Sequence, residues 1–450
     1  MLTFLRPIII WVLLHGFYIG GIATGISSIF FRAELGLYLL VALIPLPTVW
    51  YKLYEFPFGK DLLDFLFICV LIGIFINKKG FKGSQNGIII MIFIVMSYIS
   101  VWNASMNFSL PVPFTTDNPT LKPWKAYSFM IFMYFLSLNA IEDEKRQRFL
   151  IILMIVVVLL ISIKSNRDFI AGSSFVDESR DPGPFWIVGL GSNHFGSFIS
   201  YCSAFILGLF FIDKDKKRRL LYMVTLALSL HPLFFSYSRG AYAAAFCVLA
   251  FYGIIRNKVL LIGVVMVVLL WSTILPVTVV ERIRMTTETA SGEIEASAGA
   301  RLALWEEARS MYSQYPIFGS GFNGFTLAHR GEHWSDTHNF FLKTLCEQGV
   351  IGSILLAIVL LAALRSGWKL YKIGESNFQR GVGLGFLGCV ISQIVSNMFG
   401  DRWSYYEMGS YLWVIWGLVD RGLLISENAR LVNENSISSE QSLDVAEEPA

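Results

Sequence analysis

Apolar residues fall in blocks whose length suits a bilayer, since a helix needs about 17–25 mostly apolar residues to cross the hydrocarbon. Blocks 33–50, 61–77, 87–103, 124–140, 149–164, 191–212, 219–236, 239–255, 259–280, 338–364, 380–400 and 406–421 each predict one spanning helix, twelve in all. A further block, 8–31, is weaker. It carries His15, four glycines and several hydroxyls, so it can span, re-enter or lie at the interface. The expected fold is an all-α, polytopic membrane protein of about twelve transmembrane helices, thirteen with 8–31.

The polar stretches between blocks set the orientation. Loops 77–86, 141–148, 213–219, 256–258 and 365–380 together hold 17 Lys and Arg in 44 residues. The alternate set, 104–123, 165–190, 237–238, 281–337 and 401–405, holds 9 in 110 residues. Basic loops stay in the cytoplasm, so the second set faces outward. The resulting plan has helices and outer loops 104–123 and 165–190 over 1–280, a large outer loop at 281–337, and closing helices at 338–421. Residues 422–450 carry six carboxylates against Arg430 alone. Such a stretch cannot bury enough apolar surface to fold by itself, and a disordered, acidic cytoplasmic tail is expected.

Composition narrows the function. Of 450 residues 55% are apolar and 15% charged, against about 45–50% and 25% in soluble domains. A net charge of +3 gives no footprint for nucleic acid. The five cysteines lie in or beside apolar stretches without metal-type spacing, as small buried hydrophobes do.

The large outer loop carries most of the candidate chemistry. Its stretch Ala296–Tyr312 reads as an amphipathic helix on the membrane surface, with Leu304, Ala308 and Met311 at helical spacing. Gly319-Ser-Gly321-Phe-Asn-Gly324 matches a dinucleotide fingerprint only formally, lacking the strand that must precede it; a tight turn folding the loop back is the better reading. His329, His333 and His338 are three of the six histidines. Gly331 interrupts the first pair and no cysteine accompanies them, so no metal is expected. Asp336 and Thr337 offer helix caps, which sets His338 at the outer boundary. It would crown a stripe of Leu342, Leu345, Gly349 and Gly352, whose glycines admit close helix packing. Lys343 is positioned to pair with Glu347.

Arginine supplies the partners. Arg239, in the turn Ser236-Tyr-Ser238-Arg239-Gly240, has no acidic neighbour in sequence, and Arg301 and Arg180 fall on the same side and depth. Guanidinium forks match phosphate oxygens, and a diphosphate at a bilayer surface is most simply a lipid-linked sugar. A histidine near its ordinary pKa can accept the proton of an attacking hydroxyl.

Ser238-Arg239-Gly240, the Arg301-Leu-Ala-Leu-Trp305 helix, Pro316-Ile-Phe-Gly319-Ser-Gly321 and His338-Asn339-Phe-Phe-Leu342…Glu347-Gln-Gly349-Val-Ile-Gly352 follow in order. Together they resemble the O-antigen ligase/polymerase superfamily of bacterial inner-membrane glycosyltransferases, most strongly over about 190–365. The resemblance implies a multi-pass enzyme with a periplasmic loop capping its active site, and a metal-independent, inverting transfer without cofactor. The donor would be an undecaprenyl-diphosphate-linked glycan and the acceptor lipid A-core. A polymerase would instead join lipid-linked repeat units. It implies His338 as base and Arg239 and Arg301 on the donor diphosphate; Arg180 joins them by loop position alone. A membrane transporter is the competing class, with Glu347 inside a span as its main support.

Overall fold

The computed structural model describes residues 2–77, 81–168, 180–274, 277–284, 296–329 and 336–446. Of the described residues 82% are helical, and none lies in a strand. Helices α1 (Leu2–Phe30), α2 (Ala33–Leu43), α3 (Pro47–Trp50), α4 (Leu62–Ile76), α5 (Gln85–Asn107), α6 (Leu121–Ala140) and α7 (Glu144–Asp168) form the first half. The second contains α8 (Ser192–Ile212), α9 (Lys216–Phe235), α10 (Arg239–Ile255), α11 (Lys258–Ile274) and α12 (Val277–Arg284). The outer-loop segment gives α13 (Ala296–Gln314) and α14 (Gly324–Ala328), followed by α15 (Phe340–Ile373), α16 (Asn377–Asn397) and α17 (Tyr406–Ala446).

Every apolar block lies on helical segments, yet length and composition qualify fewer of them as spans. Among the described residues six helices are long and apolar enough, within α1, α5, α7, α8, α15 and α16. Residues Ala33–Leu43 with Pro47–Glu55, bent by 98°, make a seventh if counted as one broken span. The difference from twelve or thirteen is partly one of length. Helix α4 has 15 residues and α10 and α11 have 17 each. At 1.5 Å per residue these reach roughly 22–26 Å, at or under the lower limit for crossing a hydrocarbon core about 30 Å thick. The apolar faces nonetheless point outward. On α11 only Val264 is buried, while Val259, Ile262 and Leu269 are 73%, 62% and 69% exposed. Water would penalise such a face and lipid does not. This is a multi-pass membrane protein.

Helix α16 is the hub, packed on α8, α10, α15 and α17. It meets α8 at glycines: a Cβ on Gly208 would lie 2.3 Å from the Gly385 Cα. Small residues let helix backbones approach where lipid offers no hydrophobic drive between them.

The loops gather at two ends. Lys214, Arg219, Arg256, Lys372 and Arg380, from three of the basic loops, line one cavity of about 450 Å³. Among the sparsely charged loops, Asn107 Nδ2 donates to the Ser320 carbonyl at 2.9 Å, and Arg180 reaches Ser236. Beyond residue 421, where the sequence predicts a polar, acidic tail, α17 continues as helix to Ala446. Residues 423–446 contain neither Gly nor Pro, and extending an anchored helix avoids the cost of nucleating one.

Candidate functional site

Arg239 is the first residue of α10. Ser238 caps that helix, its hydroxyl accepting from the Ala241 N–H at 3.4 Å. The preceding Tyr237 is left-handed, φ 50°, which is uncommon for a residue with a Cβ and gathers at functional turns. Arg180 holds this turn. Its Nε and Nη2 donate to the Ser236 carbonyl at 3.1 and 2.9 Å, and Nη2 also reaches Asn193 Oδ1 at 2.8 Å. Only 8% exposed, this guanidinium is directed at the backbone beneath Arg239, where sequence position had suggested a ligand contact.

The chain after α13 docks into a break in α15. Gly349 has φ 65° and ψ −166°, interrupting the helix. Backbone from the loop pairs with the broken turn: Ser320 N to the Cys346 carbonyl, Gly321 N to Glu347, and Val350 N to Pro316, each at 2.9 Å. Gly319, φ 73°, faces the same break, and a Cβ there would lie 2.2 Å from the Glu347 carbonyl carbon. The turn expected at Gly319–Gly324 is thus present. The glycine stripe on α15 differs from expectation, because Gly349 admits loop backbone rather than a neighbouring helix. We expect Gly349→Ala to lower the thermal midpoint markedly in detergent. The backbone conformation is nearly glycine-only and alone costs about 1–3 kcal/mol, and the new Cβ would meet the Ile317 carbonyl oxygen at 2.2 Å. Gly299→Ala, with nothing within 4 Å of its Cβ, is the control and should be neutral or stabilising.

His338 lies just ahead of α15, outside the helix and left-handed at φ 50°. The cap is Asn339, whose Oδ1 accepts from Phe341 N and Leu342 N at 3.0 and 3.2 Å, rather than Asp336 or Thr337. With that cap the imidazole leaves the helical stripe. Its Nδ1 faces Asp336 Oδ2 at 3.6 Å. Burial, first, and then the Arg301 and Arg402 charges hold its pKa below the ordinary imidazole value, against a partial lift from Asp336. His329 instead sits against Glu307 at 2.9 Å and the Phe325 carbonyl at 2.8 Å; His333 lies outside the described residues.

A cavity of about 440 Å³ joins these parts. Arg239, Arg301 and Arg402 all line it, together with Ser238 and Trp305, and no carboxylate among the described residues does. Three guanidinium groups gather beside the first turn of α10, and a helix N-terminus favours an anion further. Trp305 Nε1 donates to the Thr337 carbonyl at 3.0 Å, fastening the wall to the residue before His338. The structure therefore brings Arg239 and Arg301 into one cavity, sets His338 beside its wall, and ties Arg180 to the Ser236 carbonyl and to Asn193, which lines that cavity.

Sequence reasoning passed over Arg402 and Asp401. Arg402 is 4% exposed and donates through Nη1 to His194 Nε2 at 2.7 Å. Asp401, fully buried, accepts from Lys343 Nζ at 2.9 Å and from the Trp403 and Ser404 N–H groups. Lys343 is thereby engaged away from Glu347, which accepts from the Asn323 and Phe325 N–H groups at 3.1 and 3.3 Å. An adjacent acid and base in a short outer turn, between two apolar blocks, was the available signal.

Comparison with known proteins bears on this same region. Residues 223–357 match the family model described as O-antigen ligase. That stretch contains Arg239, Arg301 and His338, and leaves out Arg180 and Arg402. An uncharacterized protein of Haemophilus influenzae is 25% identical over 179 residues. The alignment covers 34% of this chain and 45% of that protein, so under half of the relative's length is spanned.

Proposed function

With an O-antigen ligase domain at residues 223–357 supporting the O-antigen ligase/polymerase superfamily, we propose that the chain is an inverting glycosyltransferase. It works at the periplasmic face of a bacterial inner membrane, on a glycan linked to undecaprenyl diphosphate. An acceptor sugar hydroxyl, on lipid A-core in the ligase reading, attacks the anomeric carbon as the bond from that carbon to the diphosphate oxygen breaks. The hydroxyl proton passes to the His338 nitrogen that does not face Asp336, and the electron pair leaves with undecaprenyl diphosphate. Arg239, Arg301 and Arg402 receive the charge that builds there, usually the larger part of such catalysis. No metal enters any step.

The observation that carries this reading is the single cavity walled by three arginines. Purified protein given lipid-linked donor and an acceptor should release undecaprenyl diphosphate and form glycosylated acceptor, with or without chelator. A protein that moves solute across vesicles but never consumes donor is a transporter. The break in α15 weighs against that rival: loop backbone fills it, whereas transporters present unwound backbone to their cargo. A polymerase shares every step and differs in acceptor, so surface glycans of a deletion strain would separate the two. Loss of all lipid A attachment indicates a ligase; attachment of single repeats indicates a polymerase.

The base assignment fixes a pH dependence. Imidazole accepts a proton only when neutral, so kcat/KM should fall on the acid side, with a midpoint below the ordinary value of about 6.5. Asp336 raises the His338 pKa; Asp336→Asn should therefore move this limb to lower pH. Bound diphosphate offsets the arginine charges, so the limb of kcat should lie above that of kcat/KM. A limb that ignores Asp336→Asn would count against His338 as the titrating group.

A further inference from the structure

A second cavity lies next to the arginine cavity and has the opposite character. It encloses about 390 Å³, and Asp336, Glu347, Asp401 and Glu407 line it, with Lys343 as its basic member. Consecutive residues divide the two spaces: Asp401 faces this one and Arg402 the other. Asp336, two residues before His338, also belongs here. The imidazole thus stands between a cationic space and an acidic one.

The acidic space is furnished for hydroxyl groups. Tyr127, Phe322, Phe340 and Tyr405 supply aromatic surface along its wall. Two buried polar atoms there, Asp336 Oδ1 and Gln348 Oε1, lack partners, and the Tyr127 hydroxyl, in a residue 2% exposed, has the Trp403 indole beside it. Native interiors pair nearly all such atoms, and leaving one unmet costs about 1–3 kcal/mol. Asp401 is already satisfied within the fold. What these orphans want is a ligand rich in donors and acceptors with an apolar face, and a pyranose is one. A diphosphate is unsuited, since the carboxylates repel it.

We infer that this cavity is the acceptor subsite, taking a phosphate-free saccharide whose attacking hydroxyl is delivered past Asp336 to His338. This deepens the glycosyltransferase reading and rests on it. Donor and acceptor are then sorted by charge before they meet, because each cavity rejects what the other binds.

The test separates the two cavities by binding alone. The full-length protein in lipid nanodiscs is titrated with two probes. One is undecaprenyl diphosphate; the other is the dephosphorylated, deacylated oligosaccharide of the host's own surface glycolipid, followed by saturation-transfer NMR. Tyr127→Phe and Glu407→Gln should weaken the saccharide at least 5-fold and leave undecaprenyl diphosphate within 2-fold. Arg239→Lys should do the reverse. Saccharide binding absent from the wild type, unchanged in both cavity variants, or weakened by Arg239→Lys alone overturns the subsite. If undecaprenyl diphosphate ignores Arg239→Lys while the saccharide responds to Glu407→Gln, the subsite stands and the donor assignment falls. Should Tyr127→Phe disturb folding, Glu407→Gln at the cavity's partly exposed edge still decides the matter.

Discussion

Replacing His338 with Ala should lower glycan transfer by about 10²–10⁴-fold, the usual worth of a positioned general base, while the protein stays folded in the membrane. The side chain is partly exposed and off the helix, and the α15 cap belongs to Asn339. Truncation therefore leaves the cap, the Gly349 break and the docked loop intact. The left-handed backbone at 338 also tolerates Ala little worse than His, so a large loss of rate with an unchanged melting midpoint assigns the effect to chemistry. Donor affinity should hold or improve slightly, because the imidazole lies beside the arginine cavity and not in its wall. Transfer at near wild-type rate would remove His338 as base.

Arg239→Lys should cost about 10–100-fold in kcat/KM for the donor. Charge-assisted hydrogen bonds contribute roughly 1.5–3 kcal/mol, and each 1.4 kcal/mol is tenfold. Lysine keeps the charge and loses the planar fork, so the variant isolates geometry from electrostatics. Position sharpens the expectation. A cation at the first residue of a helix is disfavoured by the helix dipole, and a bound anion relieves that conflict. Arg180→Lys should behave differently, by loosening the Ser236 turn and depressing stability together with activity. Equal donor kinetics in Arg239→Lys and wild type would contradict a diphosphate at this place.

The chain announced some of this before any coordinates. Apolar blocks sized for a bilayer mark where helices run, and helices follow because lipid leaves the backbone few other ways to pair its polar groups. Arg239 and Arg301 could be grouped in advance because membrane depth confines their heads to one boundary. What stayed hidden depends on partners far apart in sequence. Lys343 has Glu347 one turn away and bonds Asp401 instead. Gly349 reads as a packing glycine on helical periodicity, since nothing local reports that residues 316–321 will cross there. Arg180 and Arg402 look alike as outer-loop arginines; one is turned onto a carbonyl and the other into the cavity. Apolar composition also runs unchanged through a bend, as at residues 44–46, so it does not report where a helix breaks.

The measurement that bears most directly on the whole account is a structure of the full-length protein in lipid with undecaprenyl diphosphate bound. Both phosphates should lie within hydrogen-bond distance of the Arg239, Arg301 and Arg402 guanidinium groups, with the His338 ring facing the vacated sugar position. Phosphates bound at the basic cavity formed by Lys214, Arg256 and Arg380, or anywhere out of reach of Arg239 and Arg301, would contradict it.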